Sequence, residues 1–195
     1  MRLFIAIDVI DAVRECAVDA RRRLAGQHAV LARGLRWVRV EHLHLTVRFL
    51  GEVPAPMAAR VVAACGDPLA IPAFEIRFGG PPRLPPGGTA RAVMLPVAEG
   101  LDALRDLKAA VERRLPAGVP ADEKRPFLPH LTLARVRDDA RREARALARE
   151  GVAPSAAVAS PVTGVTLFES RLSPQGPEYR ALARIALAGP AGAPA

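Results

Sequence analysis

The chain opens on an apolar run inside RLFIAID, residues 2 to 8, which predicts a buried strand, and the hydrophobic period then changes. Val13, Cys16, Ala17, Ala20 and Leu24 recur at i, i+3, i+4, i+7 and i+11, the spacing of one face of an amphipathic helix. LRWVRV and HLHLTVRFLG read as two strands, and Pro54 opens a second helix with Met57, Val61, Ala64 and Cys65 on one face. Phe74, Ile76 and Phe78 alternate with Glu75 and Arg77, as in a half-buried strand. The Pro/Gly-rich stretch PPRLPPGGTA, residues 81 to 90, is expected to be a loop, after which the pattern restarts.

In the second half RAVMLPV predicts a strand, Leu101, Leu104, Leu107, Val111 and Leu115 a helix, and HLTLARV another strand. Asp138 or Asp139 is placed to cap a short helix bearing Ala144, Leu147 and Ala148. VTLFES and YRALARIAL read as closing strands joined by the turn-rich RLSPQGPE. The order β-α-β-β-α-β thus occurs twice in approximation. Mixed hairpins and long crossovers predict an α+β fold with antiparallel-rich sheets rather than a doubly wound parallel one. A single domain over residues 1–187 is expected, followed by a loose tail at 188–195.

In EHLHLTVRFLG, residues 41 to 51, strand alternation puts His42, His44, Thr46 and Arg48 on one side, with Leu43, Leu45 and Val47 on the other. The stretch has an echo, because His44-Leu45-Thr46 recurs as His130-Leu131-Thr132 in a similar apolar run. His and Thr at i and i+2 point the same way, so each copy offers an imidazole and a hydroxyl to one space. If the two halves face each other, the four groups converge.

Composition narrows the partners. Half of the residues are hydrophobic, which excludes a disordered chain, and no apolar run approaches the roughly 20 residues that span a bilayer. A cytoplasmic monomer without membrane association is expected. The net charge is +8, with Lys108 and Lys124 the only lysines among many arginines. Such a balance suits an anionic partner such as nucleic acid, although a G+C-rich genome inflates arginine by itself. Cys16 and Cys65 fall at apolar helix positions, as buried reduced thiols do.

Two imidazoles and two hydroxyls suit in-line displacement at phosphorus. A neutral imidazole takes a proton from the attacking water while a protonated one supplies the departing oxygen. With ordinary pKa values near 6.5, both forms coexist around neutrality. The threonines can donate to non-bridging oxygens, and Arg135 can add a charge-assisted bond. No metal or other cofactor is required. An H-x-H zinc site at His42 and His44 would need further ligands from His130, His28 or carboxylates, and the chain has no nucleophile elbow, P-loop or dinucleotide fingerprint.

The paired H-L-T, together with MRLFIAI, WVRVEHLHLTVRFLGEV, RPFLPHLTLARV and LFESRLSPQGPEY in that order, resembles the RNA 2′,3′-cyclic phosphodiesterases, or 2′-5′ RNA ligases, of the two-histidine phosphoesterases. The resemblance implies a bilobal, pseudo-twofold α+β fold, with two antiparallel-rich sheets flanking a central groove and helices outside. It also implies metal-free hydrolysis of an RNA-terminal 2′,3′-cyclic phosphate to a 2′-phosphate, with 2′-5′ ligation as the reverse. By position His44 would be the proton donor and His130 the acceptor. Thr46, Thr132 and Arg135 would hold the phosphate, and Phe49 would stack on the terminal base. A phosphoesterase of small cyclic nucleotides and a non-catalytic RNA-end binder remain the alternatives.

Overall fold

The computed structural model describes residues 1–86, 90–120, 126–173 and 176–189. The elements run β1 (Arg2–Asp8), α1 (Asp11–Gln27), α2 (Ala29–Arg33), β2 (Leu35–Trp37), a 3-10 turn at Val40–His42, β3 (His44–Glu52), α3 (Ala55–Ala64), β4 (Leu69–Pro72) and β5 (Phe74–Gly80). They continue with β6 (Ala92–Glu99), α4 (Leu101–Arg114), β7 (His130–Val136), a 3-10 turn at Asp138–Ala140, α5 (Arg141–Glu150), β8 (Ser155–Val162), β9 (Gly164–Ser173) and β10 (Gly176–Ala188). The fold is α+β, as expected. Residues 87–89 of the expected loop and 190–195 of the expected tail lie outside the described residues, and β10 runs to Ala188, one residue past the anticipated domain boundary.

The strands follow one hydrogen-bonded path, β4-β10-β9-β1-β3-β7-β6-β5-β8, with β2 also beside β7. All the pairings are antiparallel except β10 with β4. The path narrows to one residue pair, Leu45 with Leu131, between β3 and β7, and the antiparallel-rich strands on either side of it form a first and a second sheet joined at that point. The sheets do not coincide with the halves of the sequence. β5 from the first half lies in the second sheet, and β9 and β10 from the second half complete the first. Hydrophobic alternation specifies a strand's face but not its neighbour.

The helices exchange in the same way. The buried stripe of α1 is Val13, Cys16, Ala17, Ala20 and Leu24, the set the periodicity predicts, and the helix packs on β8 of the second sheet. The small side chains of Ala17 and Ala20 permit close approach to the Ala-rich strand. Helix α4 packs in return on β3 and β4 of the first sheet. Its N-cap Gly100 has φ +86°, and a Cβ there would stand 2.8 Å from the Glu75 carbonyl oxygen, so glycine is required. Cys16 and Cys65 are free and buried, and burial pushes the Cys65 thiol up to about 11, so it stays protonated. Among the described residues no helix is long and apolar enough to cross a membrane.

Two local expectations need correction. Asp138 and Asp139 do not cap α5; they lie in the preceding 3-10 turn and pair with Arg141 and Arg137. Ala144 and Leu147 of that helix are buried, whereas the side chain of Ala148 lies outside the described ones. His42 does not share a strand with His44, because residues 40–42 turn as a 3-10 helix and β3 begins at His44.

Arg48 departs most from the alternation. Ile5 pairs with Arg48 and Ala6 with Thr46, so Val47 is an extra residue, a β-bulge, and beyond it the faces reverse. Arg48 is turned inward, 3% exposed. Its guanidinium meets Glu112 of α4 at 2.6 Å and donates to the carbonyls of Phe49 and Pro120. The arginine expected beside the histidines is thus a tie between the first sheet and the exchanged helix. Arg48→Ala is expected to lower the urea midpoint by the equivalent of roughly 3 kcal/mol at unchanged m-value, since it leaves the Phe49 and Pro120 carbonyls without their buried donor and Glu112 with the 3.0 Å pair to Lys108 but not the arginine. An unchanged midpoint would show that the tie carries no stability.

Candidate active site

The seam between the sheets places the chemistry. Leu45 and Leu131 are the middle residues of the two H-L-T copies, and both are fully buried. Continuing the antiparallel register by one residue each way sets His44 against Thr132 and Thr46 against His130, so the four polar side chains surround the seam on the face opposite the leucines. Strict alternation would then carry the residue five positions after each histidine to the wrong face. The Val47 bulge corrects this in β3. In β7, Val93 pairs with Ala134 and Met94 with Thr132, so Leu133 is the extra residue at the equivalent place. Burial runs identically along His44–Leu50 and His130–Val136, with one exposed residue at the same step: Phe49 in one strand and Arg135 in the other. Phe49 is 51% exposed, an aromatic ring open to solvent beside the site.

Both histidines are held alike. Nδ1 of His44 lies 2.8 Å from the His42 carbonyl oxygen, and Nδ1 of His130 lies 2.7 Å from that of Leu128. A carbonyl only accepts, so each Nδ1 carries a hydrogen and the neutral ring presents its lone pair at Nε2. The Thr132 hydroxyl stands 3.4 Å from Nε2 of His130. The contribution of His42 to this wiring is its backbone. Its ring instead lies 5.0 Å from that of Tyr179.

The surroundings differ. Burial holds the pKa of His44 below its ordinary value, opposed by the His42 carbonyl and the Asp8 carboxylate, while the charges of His42 and His130 add to the depression. His130 is also depressed by burial, opposed by the Leu128 carbonyl, and the Arg135 cation lowers it further. A carboxylate therefore favours the protonated form of His44, and a guanidinium favours the neutral form of His130. Asp8 is the register partner of His44 on β1, and its Oδ2 accepts a 2.7 Å hydrogen bond from the Thr166 hydroxyl. The sequence gives no chemical signal for Asp8, since pairing alone brings it to the site.

The first sheet adds an aromatic lining. Phe4, itself buried, lies 4.9 Å from the His44 ring, 6.2 Å from Phe49, 5.2 Å from Phe168 and 5.1 Å from Tyr179. Tyr179 meets His44 edge-on at 5.2 Å. Its phenol is raised by burial, with Arg135 and Arg2 opposing, so the hydroxyl stays protonated and lies within electrostatic reach of the second sheet. Phe4, Phe168 and Tyr179 fall inside segments that the sequence marks as strands, but only register gathers them around one histidine. No group of three or more His, Cys, Asp and Glu side chains is gathered to hold a metal among the described residues. His28 lies apart, with Nε2 2.8 Å from the Gly151 carbonyl oxygen, beside a concavity of about 580 Å³ lined by none of the site residues described above.

This arrangement has known counterparts. The chain is 32% identical over 182 residues to an RNA 2′,3′-cyclic phosphodiesterase of Archaeoglobus fulgidus, covering 93% of this chain and 98% of the relative. A protein of the same description from Thermus thermophilus is 33% identical over 195 residues, covering 97% and 91%. Among solved structures, TT0787 of Thermus thermophilus superposes with a TM-score of 0.70 at 31% identity, covering 97% of this chain and 99% of that one. Apo LigT of E. coli gives 0.71 at 27%, covering 95% and 96%. The model of the 2′-5′ RNA ligase superfamily matches residues 11–173, and with both H-L-T copies inside that span the chain belongs to this superfamily.

Proposed function

We propose that the chain hydrolyses RNA-terminal 2′,3′-cyclic phosphates to 2′-phosphates, acting as a monomer and without a metal. The observation that carries the reading is two identically wired imidazoles, supplied by one chain around the Leu45–Leu131 seam, with a carboxylate beside one and a guanidinium beside the other. The activity named for the relatives, and the crystallisation of LigT with 3′-AMP, agree with it.

In this mechanism Nε2 of neutral His130 takes a proton from water as its oxygen bonds to phosphorus. The P–O3′ bond breaks on the opposite side, and Nε2–H of His44 protonates the departing O3′. Thr46, Thr132 and Arg135 hold the non-bridging oxygens. The terminal nucleoside, carried by the leaving O3′, lies on the His44 side, where Phe49 offers a stacking surface. The deciding experiment offers purified protein an oligonucleotide ending in a 2′,3′-cyclic phosphate, with and without a chelator. A 2′-phosphate product at equal rate in both is expected. Turnover lost on chelation and restored by a divalent ion would overturn the metal-free mechanism, turnover of a cyclic mononucleotide alone would move the substrate away from RNA, and binding without turnover would leave an RNA-end binder.

His44→Ala is expected to lower kcat by roughly 10^2 to 10^4. His42→Ala keeps the carbonyl that orients His44 and should retain most of the activity. Equal losses would mean that the His42 ring takes part.

The sign of the pH dependence follows from burial. Both imidazoles are depressed, and activity requires His130 neutral and His44 charged, so kcat/KM should be bell-shaped and centred below pH 6.5. The bell in kcat should lie higher, because a bound phosphate anion favours both cations. Asp8→Asn removes charge that raises His44 and should move the descending limb to lower pH. An unmoved limb would show that the carboxylate does not act on the acid.

A further inference from the structure

The two sheets present unlike walls to the site. On the first sheet the side chains in register with the histidine face of β3 are Phe4, then Phe168, with Tyr179 beyond. On the second sheet the position equivalent to Phe4 is the small Ala92, the register partner of Arg135, and arginines stand to either side of it. Arg36 of β2 is the direct register partner of Arg135, so their side chains leave the same face from neighbouring strands about 5 Å apart. On the other flank, Arg83 and Met94 exchange backbone hydrogen bonds of 3.0 and 2.8 Å, and Met94 is the partner of Thr132. Arg83 therefore also lies on the Thr132 face, two strands away. Met94 and Ala92 are buried but stand outside the main core cluster, as do Phe4 and Ala6, which agrees with a face separate from that core. Arg36, Arg83 and Arg135 are exposed, and among the described residues none of them has a side-chain ion pair or hydrogen bond.

Displacement at phosphorus is directional. The leaving O3′ departs toward His44, so the nucleophile enters from the His130 side, and that is the arginine wall. Water needs no cation beyond those that hold the reacting phosphate. We infer that Arg36 and Arg83 bind the phosphodiester backbone of a second RNA strand whose 5′-hydroxyl takes the place of water. This rests on the functional reading above and assigns its nucleophile side. In the step, O5′ loses its proton to His130 and bonds to phosphorus, the P–O3′ bond breaks, and O3′ receives the proton of His44. The products are a 2′-5′ phosphodiester and a 3′-hydroxyl, and no further reactant is consumed.

The test uses the full chain, the Arg36→Ala/Arg83→Ala double variant, and Arg60→Ala/Arg113→Ala as a control that removes the same charge from exposed positions of α3 and α4. Three quantities are measured: hydrolysis of a short oligonucleotide with a 2′,3′-cyclic end, ligation of that end to a 5′-hydroxyl oligonucleotide, and binding of the 5′-hydroxyl oligonucleotide alone by fluorescence anisotropy. Hydrolysis should stay within about twofold in all three proteins. The Arg36/Arg83 variant should bind and ligate the 5′-hydroxyl strand at least tenfold more weakly, with the slope of log K against log salt reduced by about 1.4, two contacts at about 0.7 each. The control should match wild type. Hydrolysis falling together with ligation would overturn the inference, because the arginines would then serve the strand that carries the cyclic phosphate. Unchanged binding, an equal effect in the control, or a wild type that hydrolyses but neither binds nor ligates the 5′-hydroxyl strand would overturn it as well. A wild type that fails to hydrolyse the cyclic end refutes the functional reading instead.

Discussion

One backbone pairing, Leu45 with Leu131, organises the site. Two strands that paired along their whole length would bring their polar faces into one flat surface. Two that did not touch would leave two half-sites with nothing between them. Contact at a single pair of buried leucines fixes the strands at their crossing and lets them diverge on either side, so His44, Thr46, His130 and Thr132 surround one point. The apolar middle residue of each H-L-T is therefore as much a part of the site's construction as the polar pair that flanks it. It anchors the strand to the core while its neighbours face the opposite way.

Chemistry that needs one acid and one base has been set on a scaffold that repeats itself. The backbone repeats closely: both histidines bond a carbonyl two residues back, and both strands bulge three residues after the histidine. The inequality comes from what each copy carries and meets. Phe49 and Arg135 occupy the same step of the two strands, and Asp8 lies beside one histidine only. Two largely buried imidazoles thereby acquire opposite electrostatic bias from a few side chains, with no change in the path of the main chain.

The repeated H-L-T was legible in the sequence because it depends only on order along the chain, and so was the buried stripe of α1, which depends only on helical period. The alternation read through His42, His44, Thr46 and Arg48 failed at both ends. A 3-10 turn removes His42, and a bulge dictated by pairing with β1 turns Arg48 inward. Neither feature is written in the local pattern, since bulges are settled between strands distant in sequence. Strands β4 and β8 and helix α2 escaped for a related reason. SAAVASPV has weak strand propensity, and it becomes a strand because β5 offers an edge and α1 covers its other side. Asp8 and Tyr179 became visible only once register was known.

Strand β1 lies between β3 and β9, which sets a schedule for biosynthesis. Made before both of its neighbours, β1 can pair with β3 early, but its second edge stays open until β9 has been made, on the order of 10 s later at roughly 5–20 residues per second. Throughout that interval the nascent chain presents an apolar strand, Leu3 to Ile7, with unsatisfied main-chain donors and acceptors along one side. The strand that supports the acid's half of the site is thus also open to wrong partners along one edge until β9 is made.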